Sequence, residues 1–265
     1  MLSLAVLVAI AGTAAAKGWP TPAAGESASG DPEILFTFDD GPSPTTTPKV
    51  LDTLKAHRVR AVFFLVGEMT DSQNKKVAPI VQRILREGHV LASHTMHHKD
   101  LCRAKLQDTA AASDIDDGIA AIEKVAKVKL VWFRTPFGAR CQRLEDLLAE
   151  RKLQHFHWDL DPQEWKHDDP AKAFSYVTGS LARSSDRNVL LMHDIKTATV
   201  KSLPQILEWI ETENKKRSES GKRQIRILQA PMLAVEQLPK GFAAWSADAK
   251  ARVVGLRTAL ASVLP

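Results

Sequence analysis

The chain has 265 residues, 44% of them hydrophobic and 25% charged. That balance excludes a disordered, collagenous or disulfide-framework protein and leaves room for one large core or two small ones. The net charge of +5 would suit anionic polymers, but no zinc-finger spacing, RNA-binding aromatic motif or basic heptad accompanies it, which argues against nucleic acid as a partner.

Residues 1–16 read as a signal peptide. Leu2 to Ala11 is an apolar run, and Ala14-Ala15-Ala16 offers a small-x-small cleavage pattern. The run is shorter than the roughly 20 residues a membrane-crossing helix needs. Its removal leaves no stable membrane span and makes the mature chain secreted or periplasmic. Residues 17–30 are rich in Gly, Pro, Ala and Ser and form a flexible lead-in.

Short apolar runs then alternate with longer amphipathic ones. Strands are expected at 34–38, 61–66, 89–92, 130–133, 154–158, 189–192 and 225–228. Helical spacing appears in "TPKVLDTLKAHR", in "VAPIVQRILREG", between Leu106 and Val128, and in "LPQILEWIETENKK". The alternation predicts an α/β fold with a parallel sheet and crossover helices. A distorted (β/α) barrel of about seven parallel strands is favoured over an open doubly wound sheet. Residues 31–232 form this domain, and 233–265 read as a C-terminal helical extension.

In such folds chemistry gathers where strands end. Polar oddities follow five expected strands. They are Asp39-Asp40 after the first, "SHTMHH" after the third, "RTPFG" after the fourth, "WDLDPQEW" at the end of the fifth and "LLMHD" at the end of the sixth. Two adjacent carboxylates at a buried strand end repel and desolvate one another. A cation would offset both effects. His94 and His98, four residues apart, can bind one metal with a carboxylate from Asp39 or Asp40. Zinc accepts that set and keeps an open position, and other divalent ions such as cobalt fit too. The remaining carboxylate is then free to act as a base.

These clusters, in this order, resemble the five motifs of the polysaccharide deacetylase family, also called the NodB-homology or carbohydrate esterase family 4 domain. "TFDDGPSP", "HTMHHKDL" and "LLMHD" carry the likeness most closely. The resemblance implies a distorted (β/α) barrel and metal-assisted removal of acetyl groups from N-acetylated amino sugars of a peptidoglycan- or chitin-like polysaccharide. It implies one divalent metal, zinc foremost, held by Asp40, His94 and His98. It makes Asp39 the general base, Arg134 its orienting partner and His193 the general acid. Phe137 would offer its backbone N–H to the oxyanion, with Pro136 beside it in the substrate loop. Leu191 and Trp165 would wall the acetyl pocket. Where the family's fourth motif has Asp-Trp, this chain has Glu164-Trp165. Glu164 is therefore expected to support His193, with Asp159 and Asp161 as competitors. The alternatives are an O-acetyl esterase acting on acetylated xylan or a related glycan, and a glycan-binding pseudoenzyme.

The two cysteines, Cys102 and Cys141, follow the second and third motifs at equal distance. Both belong to loops of one strand-end face and are expected to pair in an oxidising compartment. His97 is expected beside the site or exposed, His155 and His157 on one plain strand face, and Trp209 in the apolar stripe of its helix.

Overall fold

A computed structural model describes residues 30–70 and 75–231. The expected signal peptide, the lead-in apart from Gly30, and the expected C-terminal extension lie outside the described residues.

The strands are β1 (Glu33–Asp39), β2 (Val62–Leu65), β3 (Val90–Ser93), β4 (Trp132–Phe133), β5 (Gln154–His155), β6 (Arg187–His193) and β7 (Arg226–Ile227). The helices are α1 (Thr47–Ala56), α2 (Ala78–Arg86), α3 (Asp108–Ala126), α4 (Gln142–Glu150), α5 (Glu164–His167), α6 (Pro170–Arg183) and α7 (Thr197–Glu219). All seven strands run parallel in the order β5-β4-β3-β2-β1-β6, with β7 also on β1. Strand β6 lines one edge of β1 from Glu33 to Asp39. Its other edge is shared. Strand β2 takes Thr37 to Asp39, and β7 takes Glu33 and Ile34.

The sheet curls until the segment after β5 meets β6. Leu160 bridges to Leu190, the Leu191 N–H donates to the Leu160 carbonyl at 2.9 Å, and the Asp159 N–H donates to the Val189 carbonyl at 2.9 Å. This is the distorted barrel the alternation predicts.

Strand β1 is buried on both faces, as parallel strands covered by helices are. Period-2 alternation sorts its residues. Ile34, Phe36 and Phe38 pack outward on Val50, Leu51 and Leu54 of α1 and on Ile206 and Ile210 of α7. Leu35 points inward and shares a smaller core with Val62, Phe64, Ala92, Trp132, Phe156 and Val189. Thr37 and Asp39 continue the inward row, so the first strand carries polar groups up to the mouth of the barrel. A third cluster joins Ile115 of α3, Phe133 of β4 and Leu144 and Leu148 of α4, with Cys102 and Cys141 packed against it. These cysteines form a disulfide with a Cα–Cα distance of 5.7 Å.

Some boundaries differ from expectation. The fifth strand ends at His155 rather than at 158. Beyond it, the Phe156 and His157 carbonyls turn to accept from Nε and Nη2 of Arg134, at 3.4 and 3.0 Å, instead of continuing a ladder. The fourth strand keeps only Trp132 and Phe133 of its expected run. Helices α4, α5 and α6 are additional to the sequence reading. The start of α6 carries a signal that could have shown it. Asp169 accepts from the Ala171 and Lys172 N–H groups, and Pro170 opens the first turn. Helix α7 begins at Thr197, ahead of the expected start, and contains Pro204. Trp209 packs partly buried against the main core, as expected.

Candidate active site

Asp39 ends β1 directly beside His193, which ends β6. Its Oδ1 accepts from Arg134 Nη1 at 2.7 Å. Arg134 has no solvent exposure. It follows β4, and its guanidinium lies 4.0 Å from the Phe64 ring centroid. The same Nη1 donates to Thr37 Oγ1 at 2.8 Å, and Thr37 in turn donates to the Leu190 carbonyl at 2.7 Å. The arginine is thus fixed by an aromatic face, a hydroxyl and two carbonyls, and it holds Asp39 in one orientation. Burial pushes the Asp39 carboxyl up, Arg134 and His193 pull it back, and the balance stays above the ordinary value.

Asp40 adopts a left-handed backbone, φ 74°. Consecutive strand residues point to opposite faces; this turn lets the second carboxylate face the same site as the first. Asp40 Oδ1 lies 3.6 Å from His94 Nε2 and 3.3 Å from His98 Nε2. It is buried and has no hydrogen-bond partner. The Nδ1–H of His94 donates to the Arg134 carbonyl at 2.8 Å. That bond leaves the Nε2 lone pair facing Asp40. Burial lowers the His94 pKa to about 3 despite the Asp40 charge, so its imidazole is neutral. An orphaned carboxylate oxygen facing imidazole nitrogens suits a cation of the zinc type. Among the described residues, Asp40, His94 and His98 are the group whose ligand atoms all lie within 4.8 Å of one another.

Across the mouth, His193 Nδ1 lies 3.0 Å from Glu164 Oε1. The same oxygen accepts from the His193 backbone N–H at 2.8 Å and from Thr199 Oγ1 at 3.2 Å. Glu164 is buried. Burial alone would lower the His193 pKa, but the Glu164 hydrogen bond and charge, then Asp39 and Asp40, raise it to about 9. Asp159 and Asp161 are engaged elsewhere. The first accepts from the Val189 N–H and the second from the Gln163 N–H.

The remaining expected residues ring this mouth. Phe137 follows the buried Pro136 in a turn with φ 61°, and its ring stands edge-on to that of His98 with centroids 4.7 Å apart. It is 71% exposed. Trp165, half exposed, stands edge-on to His193 at 6.5 Å. Leu191 is buried two residues before His193, on the same strand face. His97 lies 3.4 Å from Asp114. His155 and His157 do not share a strand face. The first bonds Glu145 at 2.7 Å, and the second packs tilted against Trp158 with ring centroids 4.2 Å apart.

The sequence reading gave no role to Thr37, Asp194 or Thr199. Thr37 could have been found, because it occupies the inward row two residues before Asp39. Asp194 is fully buried, accepts from the Thr47 hydroxyl and is pushed by burial to about 7. Its carboxylate lies against Gly41, where a Cβ would sit 2.2 Å from Oδ2. Only glycine fits there.

Comparison with known proteins identifies the family. Residues 26–155 match the polysaccharide deacetylase family. The chain is 32% identical over 167 residues to a chitooligosaccharide deacetylase of Bradyrhizobium sp. (strain ANU 289), covering 63% of this chain and 72% of that protein. It is 34% identical over 179 residues to a peptidoglycan-N-acetylglucosamine deacetylase of Bacillus cereus, covering 66% and 79%. The solved structure of the peptidoglycan deacetylase PdaC from Bacillus subtilis shares the fold with a TM-score of 0.64 at 25% identity, over 77% of this chain and 91% of that one. By motif order, barrel and relatives alike, the chain belongs to the polysaccharide deacetylase family of hydrolases.

Proposed function

We propose that this chain is a metal-dependent N-deacetylase acting outside the cytoplasm on N-acetylated amino sugars of a peptidoglycan- or chitin-like polysaccharide. The observation that carries the proposal is the division of labour between neighbours. Asp40 faces two imidazole nitrogens with an unpartnered oxygen, while Asp39 is clamped by Arg134 through one oxygen and keeps the other 3.8 Å from His94 Nε2. Asp40, His94 and His98 would hold the cation, zinc foremost. When bound, such a cation polarises the acetyl carbonyl and makes water a stronger acid.

The chain's own residues supply the rest. Asp39 takes the proton from the attacking water, its carboxylate kept in place by Arg134 and Thr37. The Phe137 N–H donates to the developing oxyanion. Leu191 and Trp165 receive the acetyl methyl, with Pro136 beneath the loop. His193 delivers a proton to the departing nitrogen. An amine leaves poorly unless protonated. An imidazole raised to about 9 by its carboxylate partner holds that proton at neutral pH, which supports amide over ester hydrolysis. The disulfide and the apolar N-terminal run support an extracytoplasmic setting. Lys and Arg outnumber Asp and Glu by 36 to 31, which favours an anionic wall polymer nearby.

Acetate release tests the proposal. Full-length protein loaded with zinc or cobalt is incubated with chitooligosaccharides, peptidoglycan and acetylated xylan. Acetate and free amines are expected from at least one of the first two. Release from xylan alone would make the protein an O-acetyl esterase, and glycan binding without acetate would make it a binding protein; either result overturns the proposal.

A further inference from the structure

The segment Thr95–His98 carries one proposed ligand and follows the other, yet its backbone is strained. Thr95 has φ 69° and His98 φ 51°. A β-branched residue at positive φ is an outlier, and such a conformation persists only where its surroundings over-determine it. The accounting of backbone groups shows what does so. The Thr95 and Met96 carbonyls accept from the Gly67 and Glu68 N–H groups at 2.9 and 3.0 Å. The Met96 and His97 N–H groups both donate to Asp114 Oδ1, at 2.9 and 3.0 Å, and the Met96 N–H is shared with the Asp114 backbone carbonyl at 3.0 Å. The His98 N–H donates to Thr95 Oγ1 at 3.0 Å.

Asp114 is a buried carboxylate inside α3, a position where a helix needs no acid. One turn further along α3 stands Gly118, itself buried. A Cβ there would lie 2.6 Å from the Thr95 carbonyl carbon and 2.7 Å from the Met96 nitrogen. The helix therefore presents an acceptor to the loop at one point and a missing side chain at the next. The gap lets the backbone approach; the acceptor holds it there.

We infer that Asp114 and Gly118 make helix α3 the seat of the metal-binding loop, and that Asp114 is a positioning residue which aims His94 and His98 at one cation without touching it. This rests on the metal reading given above.

The test reads cation affinity directly, independently of turnover. Zinc is titrated calorimetrically into metal-free, full-length protein, and the cobalt-loaded forms are compared by visible absorption. Asp114→Ala is expected to weaken zinc by about 10–100-fold, the usual effect of losing a group that supports ligands from behind, and to alter the cobalt spectrum. Asp114→Asn keeps one carbonyl acceptor for both N–H groups and is expected to retain parental affinity. Gly118→Ala favours the helix itself but pushes on Thr95, so it is expected to weaken zinc while the metal-free protein keeps its circular dichroism. This variant carries the test if Asp114→Ala fails to fold. Parental zinc affinity in folded Asp114→Ala or in Gly118→Ala overturns the inference, as does an equal loss in Asp114→Asn. A parent protein that takes up no divalent ion overturns the metal reading as well, so the two failures are distinguishable.

Discussion

Asp39 and Asp40 are identical side chains one bond apart in sequence, and their surroundings alone separate them. Asp39 lies on an arginine inside the barrel; Asp40 faces two imidazoles at its rim. Asp39→Asn is expected to retain the cation and to lose about 10²–10⁴-fold in rate, the usual size of a general-base contribution. Asp40→Asn is expected to lose cation affinity first. Titration and steady-state kinetics on the two variants would reverse the assignment if Asp39→Asn were the one to lose the ion. His193 gives a pH signature. Its pKa in the folded chain is raised above the ordinary 6.5 to about 9. The Glu164 contact therefore contributes stability that is fully present below 6.5 and lost as pH rises towards 9. Catalysis should share that alkaline limb, because deprotonated His193 has no proton to give. Glu164→Gln keeps an acceptor and removes the charge, so the alkaline limb of kcat/KM is expected to move to lower pH. A limb unchanged from the parent would remove Glu164 from the role. These ionisable residues were legible in the sequence because they cluster at strand ends. Thr199 and Asp114 were not, because each acts through a contact that exists only once distant segments have packed; Thr37 showed itself only by its place on the inward row of β1.

At the scale of elements, the strands announced themselves by apolar runs, and their ends were set by competing hydrogen bonds. The fifth run, "QHFHW", alternates like a strand throughout. It leaves the ladder at Phe156 because a buried guanidinium needs those carbonyls more. No local pattern encodes that demand. The short α5 is equally invisible, since it follows a left-handed Gln163 and serves to bring Glu164 under His193. The disulfide ties the loop after β3 to the loop after β4, which carry His98 and Phe137. Its cysteines are 39 residues apart in sequence; for a loop of roughly that length the chain-entropy model gives about 4 kcal/mol. Cys102→Ser with Cys141→Ser is expected to lower unfolding free energy by up to that amount, measured by urea denaturation. Non-reducing mass spectrometry of the parent is the direct check. Two free thiols on folded, active protein would overturn the pairing.

For the whole molecule, the inner and outer cores give acid a specific route of attack. His89 is buried against Phe63 and accepts from the Ala61 N–H at 3.0 Å. Burial, with Arg60 and Arg83 nearby, lowers its pKa to about 3. The folded state thus favours the neutral ring. That contribution is present above the ordinary 6.5 and disappears as pH falls towards 3. An NMR titration of the metal-free protein is expected to show the His89 ring still neutral at pH values where exposed histidines are charged. His89→Gln should flatten the acid side of the stability profile, and an unchanged profile would place the acid sensitivity elsewhere.

Strand β7 has a consequence for how this barrel can be tethered. It completes the edge of β1 at Glu33 and Ile34, and the chain beyond it reaches the Arg60 carbonyl through the Ala230 N–H at 3.0 Å. Because the two strands are parallel, the entries into the first and the last share one pole. Every proposed reacting group stands at the other pole, the length of β1 away, about 20 Å. A surface that met the molecule at the entry to β1 would therefore meet it on the side away from the proposed site and leave that site open to a polymer strand.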